Sequence, residues 1–395
     1  MSNKRRILNW IFLIFLIIYL LGGILLMFFQ RSFIYFPSTS VYQGLKEMMI
    51  DAKDAKLKII VLNEGHDDAI LYFGGNAEAV DAYQQEFSQY FNNYTIYLVN
   101  YRGYGGSTGK PNENALYEDA LLVYDKLKIK HKNIAIIGRS LGSGVATYVA
   151  SKRDIKKLIL VTPFDSFEEI AKKQFPIYPI KFMLFDRYDS IDRAEEIKAR
   201  TLILMARNDI LVPNENSIRL YAAFDPLKVH KQIFEGFGHN DIQLATQYYS
   251  TMEGFLNREI TLDFNELNSD LSEADIVTKY KKIKFSCGNE RSAIAERYCY
   301  ADIDRFNGTD ARLIVFFFDK NKLVEVKIDL EPGDNHKFLI DRYTQEFGSA
   351  LIVPKPQNGV QLIGWVLKDG QIVTSLQSDP KQDMFLWISS RKNIE

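Results

Sequence analysis

The chain has 395 residues, 47% of them hydrophobic and 13% aromatic, with 49 basic side chains against 50 acidic ones. That is enough apolar material for a sizeable core and more than one domain. A net charge of -1 leaves no electrostatic footprint for a nucleic acid, and two cysteines with no histidines spaced around them make no zinc motif.

Ile7 to Phe29 is almost wholly apolar, about the length that crosses a bilayer as a helix. Lys4, Arg5 and Arg6 precede it, whereas Arg31 is the only base for some distance beyond. The positive-inside rule then puts the N-terminus in the cytoplasm and everything after residue 30 on the extracytoplasmic side. The alternative is a cleaved signal peptide. Its apolar region would be shorter, and Met-Phe-Phe-Gln-Arg-Ser follows where small residues should mark a cleavage site. The expectation is a single-pass signal-anchor helix within residues 1–32.

Residues 33–258 alternate strand and helix patterns, the signature of a mostly parallel sheet covered by helices. Strands are expected at Leu57–Leu62, Ala69–Phe73, Thr95–Asn100, Ile134–Ile137, Lys157–Val161, Thr201–Met205 and Lys231–Phe234. Helices are expected at Glu78–Phe91, Glu113–Lys128 and Asp241–Leu256. Gly138-Arg-Ser-Leu-Gly142 follows the apolar run Ile134–Ile137 and fits G-x-S-x-G. Its serine sits on a strained turn, so larger side chains two residues away on either side would clash. Ala146, Val149 and Ala150 continue as a compact helix face.

In such sheets reactive groups collect at the carboxyl ends of the strands. Phe73-Gly-Gly-Asn76 closes one strand, and glycines there let backbone N–H groups approach a ligand. Asp209 lies just past Thr201–Met205, and His239 just past Lys231–Phe234 on a glycine-rich loop. The order Ser140, Asp209, His239 is that of a nucleophile, acid and base built on this turn. Asp165 and Asp186 are rival acids. His66, His131, His230 and His336 do not follow a strand on such a turn.

Four stretches carry a resemblance: Gln30–Ser38, Tyr101-Arg-Gly-Tyr-Gly-Gly-Ser-Thr-Gly109, Gly138–Gly144 and Gly238-His-Asn-Asp241. Through them residues 33–258 resemble the α/β-hydrolase superfamily, and within it the membrane-anchored Bem46-like branch. The resemblance implies Ser140 as nucleophile, Asp209 as acid, His239 as base, and an oxyanion hole from the N–H groups of Asn76 and Leu141. Relatives usually have His-Gly-Asn where this chain has Gly74-Gly75-Asn76, which leaves Asn76 or Ala77 as the first donor. They also tend to have a threonine where Asp165 stands. Such chemistry needs no metal and no organic cofactor.

Gln174–Asp186 lies between two core strands, where these folds insert a short cap. Phe175, Phe182, Leu184 and Phe185 are expected to line an apolar acyl pocket, against the alternative of a cap that only packs on the domain. The expected substrate is an ester or thioester of an apolar acyl group, lipids included. An amidase or peptidase with the same triad, or a catalytically silent binding scaffold, are the alternatives.

Residues 259–275 read as an acidic linker. Residues 276–395 read as a smaller α+β domain with a binding role, its partner a protein. Helices are expected at Ile276–Ile283, Arg291–Tyr298 and Lys337–Phe347. Strands are expected at Ala311–Phe318, Leu323–Leu330, Gly359–Leu367, Gln371–Leu376 and Met384–Ile388, with a tight hairpin at Lys368-Asp-Gly370. In an oxidising compartment Cys287 and Cys299 should pair. A continuous helix between them would hold their Cα atoms about 18 Å apart and forbid it.

Overall fold

A computed structural model describes residues 3–226, 228–257, 261–262, 267–281, 283, 285–289, 295–330, 335–353, 361–376 and 384–389. Contacts divide the chain into two units, Met1–Asn257 and Arg258–Glu395.

In the first unit α1 (Asn3–Ile34) precedes β1 (Glu47–Ala52), β2 (Ala55–Leu62), β3 (Asp68–Phe73), α2 (Gln84–Tyr90), β4 (Thr95–Val99) and α3 (Glu113–Lys128). Then come β5 (Asn133–Arg139), α4 (Leu141–Lys152), β6 (Lys157–Val161), α5 (Phe167–Gln174), α6 (Ile180–Met183), β7 (Arg200–Ala206), α7 (Asn214–Ala223), β8 (Val229–Phe234) and α8 (Tyr248–Asn257). The sheet order is β1-β2-β4-β3-β5-β6-β7-β8, antiparallel from β1 to β4 and parallel from there to β8.

The apolar run in β5 is explained by burial on both faces. Ile134 and Ile136 pack in the layer with α3 and α4, while Ala135 and Ile137 pack in the layer with α2 and α8. Two expected helices are shorter than their sequence pattern. A 3-10 turn, Val80–Tyr83, precedes α2, and another, Ile242–Leu244, precedes α8. Strand β1 was not expected; it forms a hairpin with β2 through Asp54, which takes a left-handed backbone (φ 59°).

The second unit runs β9 (Thr261–Leu262), α9 (Glu273–Lys279), β10 (Ser286–Asn289), β11 (Arg297–Asp302), β12 (Arg305–Phe306), β13 (Thr309–Asp319) and β14 (Lys322–Leu330). It continues with α10 (Asn335–Phe347), β15 (Leu351–Ile352), β16 (Leu362–Leu367), β17 (Gly370–Ser375) and β18 (Met384–Ser389). The main path of its sheet is β10-β11-β13-β14-β18-β17-β16-β15, antiparallel throughout. Helix α10 buries Leu339 and Tyr343 in the same core as Trp365 and Phe385.

Two expectations change here. The stretch 259–275 is more than a linker: Thr261–Leu262 pairs with β12, Leu267 enters the core, and Ser272 caps α9 through a reciprocal capping box with Asp275. The expected helix Arg291–Tyr298 fails at its end, because Arg297 and Tyr298 open β11; residues 291–294 lie outside the described residues. Pairing with β13 buries Cys299 and Ala301 and leaves Tyr298 and Tyr300 partly exposed, a period of two that overrides local helix preference. The start of the expected strand Gly359–Leu367, residues 359–360, also lies outside the described residues. Cys287 and Cys299 face each other across β10 and β11 and form a disulfide, their Cα atoms 4.1 Å apart.

Candidate active site

Because the strands from β4 to β8 run parallel, the segments after β3, β5, β7 and β8 emerge on one edge of the sheet. The sharpest is the turn from β5 into α4. Ser140 takes φ 49° and ψ -115°, a conformation that costs about 1–3 kcal/mol. Its neighbours leave no alternative to glycine. A Cβ at Gly142 would collide with the Phe73 carbonyl, and one at Gly138 would lie 2.5 Å from the Ala146 methyl. The turn is anchored by the Ser140 N–H, which donates to the Val161 carbonyl at 2.9 Å.

Three side chains then form a line. Ser140 Oγ lies 2.8 Å from His239 Nε2, and His239 Nδ1 lies 2.7 Å from Asp209 Oδ2. Asp209 and His239 are each 8% exposed. The second carboxylate oxygen of Asp209 accepts the N–H groups of Leu211 (3.0 Å) and Val212 (2.8 Å). Asp209 is thus a turn residue and an imidazole partner at once. The Asn208 N–H donates to the Phe237 carbonyl at 2.9 Å, which fixes the acid loop to the histidine loop. An imidazole held this way can take a proton from the hydroxyl on one side and be oriented by the carboxylate on the other.

The rival acids are committed elsewhere. Asp165 accepts hydrogen bonds from Arg219 Nε (2.6 Å), Asn216 (2.8 Å) and the Ser166 N–H (2.8 Å), so it holds α7 to the end of β6. Asp186 pairs with Arg31 (3.0 Å) and accepts from the Tyr35 hydroxyl (3.1 Å). His131, a rival base, bonds Tyr97 and the His66 carbonyl.

The loop Gly74-Gly75-Asn76 passes beside Ser140. As the first residue of α4, Leu141 has an N–H with no acceptor inside the helix. The Asn76 side chain braces the loop. It accepts from the Phe36 N–H (2.9 Å) and the Tyr104 hydroxyl (2.8 Å) and donates to the Ile34 carbonyl (2.8 Å). Tyr101 adds a hydrogen bond to the Gly74 carbonyl at 2.8 Å. The motifs around Tyr35 and Tyr101 therefore support this loop. The space a larger residue at 74 would need is filled: its Cβ would meet Val80 at 2.7 Å and Glu78 at 2.9 Å.

Sequence reasoning missed Glu78 and Arg139. Glu78 accepts from the Gly75 N–H (3.0 Å), from Arg139 (2.9 Å) and from the Tyr72 hydroxyl. Arg139 also donates to the His239 carbonyl at 3.3 Å, so this buried pair ties the 74–76 loop to the histidine loop. Burial works against the charge on Arg139, but the Glu78 carboxylate outweighs it and the guanidinium pKa is raised. The available signal was Arg139 itself, a charged residue on an otherwise apolar strand.

A cleft of about 540 Å³ opens above Ser140 and His239, its apolar wall including Phe33, Ile34, Phe164, Phe167 and Leu211. The four expected pocket residues do not line it. Phe175 and Leu184 face a smaller apolar slot of about 100 Å³ beside α1, while Phe182 and Phe185 are 81% and 54% exposed. Pro176 and Pro179 break the segment, so α6 is a single turn that buries Ile180 instead.

Residues 68–189 match the family model described as alpha/beta hydrolase fold. The chain is 31% identical over 231 residues to an uncharacterized protein of Mycobacterium tuberculosis, covering 54% of this chain and 82% of that one. It is similar to alpha/beta hydrolase domain-containing protein 17C of Homo sapiens, 31% identical over 176 residues, and spans 51% of that protein with 42% of its own length. Among solved structures, an esterase of Pyrococcus furiosus aligns with 57% of this chain and 98% of its own at 18% identity and a TM-score of 0.48.

Proposed function

This chain belongs to the α/β-hydrolase superfamily, and from that premise we propose that it is a membrane-anchored serine hydrolase cleaving an ester or thioester of an apolar acyl group. The observation that carries the proposal is the unbroken line from Ser140 through His239 to Asp209 at the floor of an apolar cleft.

A serine hydroxyl is a weak nucleophile near neutral pH. His239 removes its proton as Oγ attacks the acyl carbonyl, and Asp209 stabilises the imidazolium that forms. The N–H groups of Leu141 and Asn76 meet the developing oxyanion, each lowering the barrier by about 3 kcal/mol. His239 returns the proton to the leaving group, and water, deprotonated by the same imidazole, releases the acyl-enzyme.

Helix α1 is long and apolar enough over Ile7–Ile34 to cross a membrane, which supports the anchor and the Bem46-like placement. The basic residues before it favour a cytoplasmic N-terminus, and the Cys287–Cys299 disulfide is consistent with an oxidising compartment on the other side.

Labelling of the purified protein by a fluorophosphonate probe tests the nucleophile. Ser140→Ala is expected to abolish labelling and lower hydrolysis about 10⁶-fold with the fold retained. Labelling that persists in this variant removes Ser140 from the mechanism. Turnover of ester and thioester series of increasing acyl length then defines the substrate.

A further inference from the structure

We propose that the cap, residues 175–185, is sunk into the lipid leaflet beside α1, so that the cleft opens on hydrocarbon and takes its acyl substrate from the membrane. This rests on the reading of α1 as an anchor and of the cleft as an acyl-hydrolase site.

The cap packs along the apolar stretch of α1 itself. Tyr178 stacks on Tyr19 with ring centroids 4.9 Å apart, and it lies so close to Gly22 and Gly23 that a Cβ at Gly23 would meet its ring at 3.2 Å. Further along, Gln30 bonds Met183 and Phe185. From Tyr19 to Gln30 the helix rises about 16 Å, half a bilayer's hydrocarbon thickness. The cap therefore lies at the depth of the span.

Around the same turns α1 presents large apolar side chains to the outside, Ile24, Leu25, Phe28 and Phe29 among them, each more than half exposed. Ile177, Phe182 and Phe185 continue this surface on the cap. Water on one part and lipid on another is not an option for side chains at one level, so hydrocarbon covers both.

The polar atoms follow the same rule. Irregular backbone is tolerated at membrane depth only when its groups are satisfied within the protein. The Tyr19 hydroxyl donates to the Ile177 carbonyl (2.9 Å). Gln30 donates to the Met183 carbonyl (3.0 Å) and accepts from the Phe185 N–H (2.8 Å). Both polar residues of this half of α1 are thus spent on cap backbone. The one charged side chain between Phe175 and Phe185 is Lys181, exposed, with a stem long enough to carry its ammonium to the headgroups. The Arg31–Asp186 pair stands just past the apolar stretch, at headgroup level.

The cavities give the route. The slot beside α1 is lined by Leu26 and Met27 of the span, and it shares Phe33, Ile34, Phe167 and Ile170 with the cleft at Ser140. An acyl chain entering from the leaflet meets these apolar side chains, with Gln174 the one polar residue that slot and cleft share, on its way to the reacting hydroxyl.

The test uses the full chain in phosphatidylcholine–phosphatidylglycerol vesicles, part of the phosphatidylcholine brominated along its acyl chains. Trp10, read as the difference between the wild-type protein and Trp10→Phe, reports the anchor, and the buried Trp365 and Trp387 of the second unit supply the constant background. Ile177→Trp and Phe182→Trp, each in a Trp10→Phe background, report the cap, and Ile129→Trp on the same background is the solvent control. Quenching at 177 and 182 beyond the background, with none at 129, is expected. Quenching of Trp10 without quenching at 177 and 182 overturns the proposal, leaves the anchor standing and returns the cap's apolar face to a protein partner. No quenching of Trp10 removes the anchor and the proposal together. In the second arm Ile177→Asp should slow turnover of a vesicle-borne long-chain ester by about tenfold or more, the effect of a charge at membrane depth, with a short water-soluble ester unaffected. Equal change on both esters overturns the membrane route. If the wild-type protein turns over neither ester, the hydrolase reading fails, and quenching alone still decides where the cap lies.

Discussion

The turn at Ser140 and the cap at 175–185 belong to the same unit and are held in opposite ways. At the turn, the backbone leaves no freedom: Gly142 is wedged against the Phe73 carbonyl, Gly138 against Ala146, and Ser140 is locked at a positive φ. In the cap, Pro176 and Pro179 stop any long helix, and what the side chains touch is decided by α1, more than 140 residues away in the chain. Steric demand is written locally, residue by residue, whereas the placement of an apolar segment depends on its distant partner.

After Ser140→Ala, the largest expected effect breaks the line at its acid. Asp209→Asn should keep the fold but lower kcat about 10⁴-fold, because the amide favours the wrong imidazole tautomer. A kcat on a short ester near wild type would mean that another group orients His239. Next comes the steric demand itself. Gly142→Ala should lose about 3 kcal/mol of stability by urea unfolding, since backbone cannot give way as a flexible side chain would. An unchanged midpoint would show the turn to be more pliant than its contacts indicate.

Asp165→Ala separates a structural carboxylate from a catalytic one. It should cost about 2 kcal/mol, as the hydrogen bonds from Asn216, Arg219 and the Ser166 amide are lost, while fluorophosphonate labelling of Ser140 proceeds at the wild-type rate. Slowed labelling would return Asp165 to the list of acids. The smallest effect belongs to the cap. Phe182→Ser, in detergent, should change stability by less than about 0.5 kcal/mol, because the ring is 81% exposed. A larger loss there would mean that the cap is packed like the core.

This contrast also accounts for what could be read from the residues alone. Helix α3 and strand β6 lie where the pattern put them, Glu113–Lys128 and Lys157–Val161, because each has a clean period and clear ends. Ser140, Asp209 and His239 were legible because each follows a buried strand, and a parallel sheet brings such ends together without further information. The expected helix Glu78–Phe91 starts late because Glu78 spends its carboxylate on Gly75 and Arg139. That is a tertiary use invisible to a helical period. Arg291–Tyr298 was misread for a similar reason: its residues favour a helix in isolation, and only the partner strand β13 turns their end into β11. Aromatic character predicts pocket walls at Phe182 and Phe185 and goes no further, because it says that a side chain avoids water, not which apolar surface it meets.

The disulfide of the second unit sits at the end of its sheet. Strand β10 has only four residues, Ser286-Cys-Gly-Asn289, with almost no apolar side chain to tell one face from the other. Ordinarily a buried face sets the register of a strand, and a slip of one residue would exchange its two faces. Here Ser286 or Gly288 could stand opposite Cys299 with little change in what is buried. The covalent link removes that ambiguity: Cys287 is fixed opposite Cys299, and the ladder from Ser286↔Tyr300 to Asn289↔Arg297 follows from it. Reduction would therefore act on alignment before it acted on stability: an edge strand freed to shift would change which N–H and C=O groups its outer side offers to a strand from another molecule.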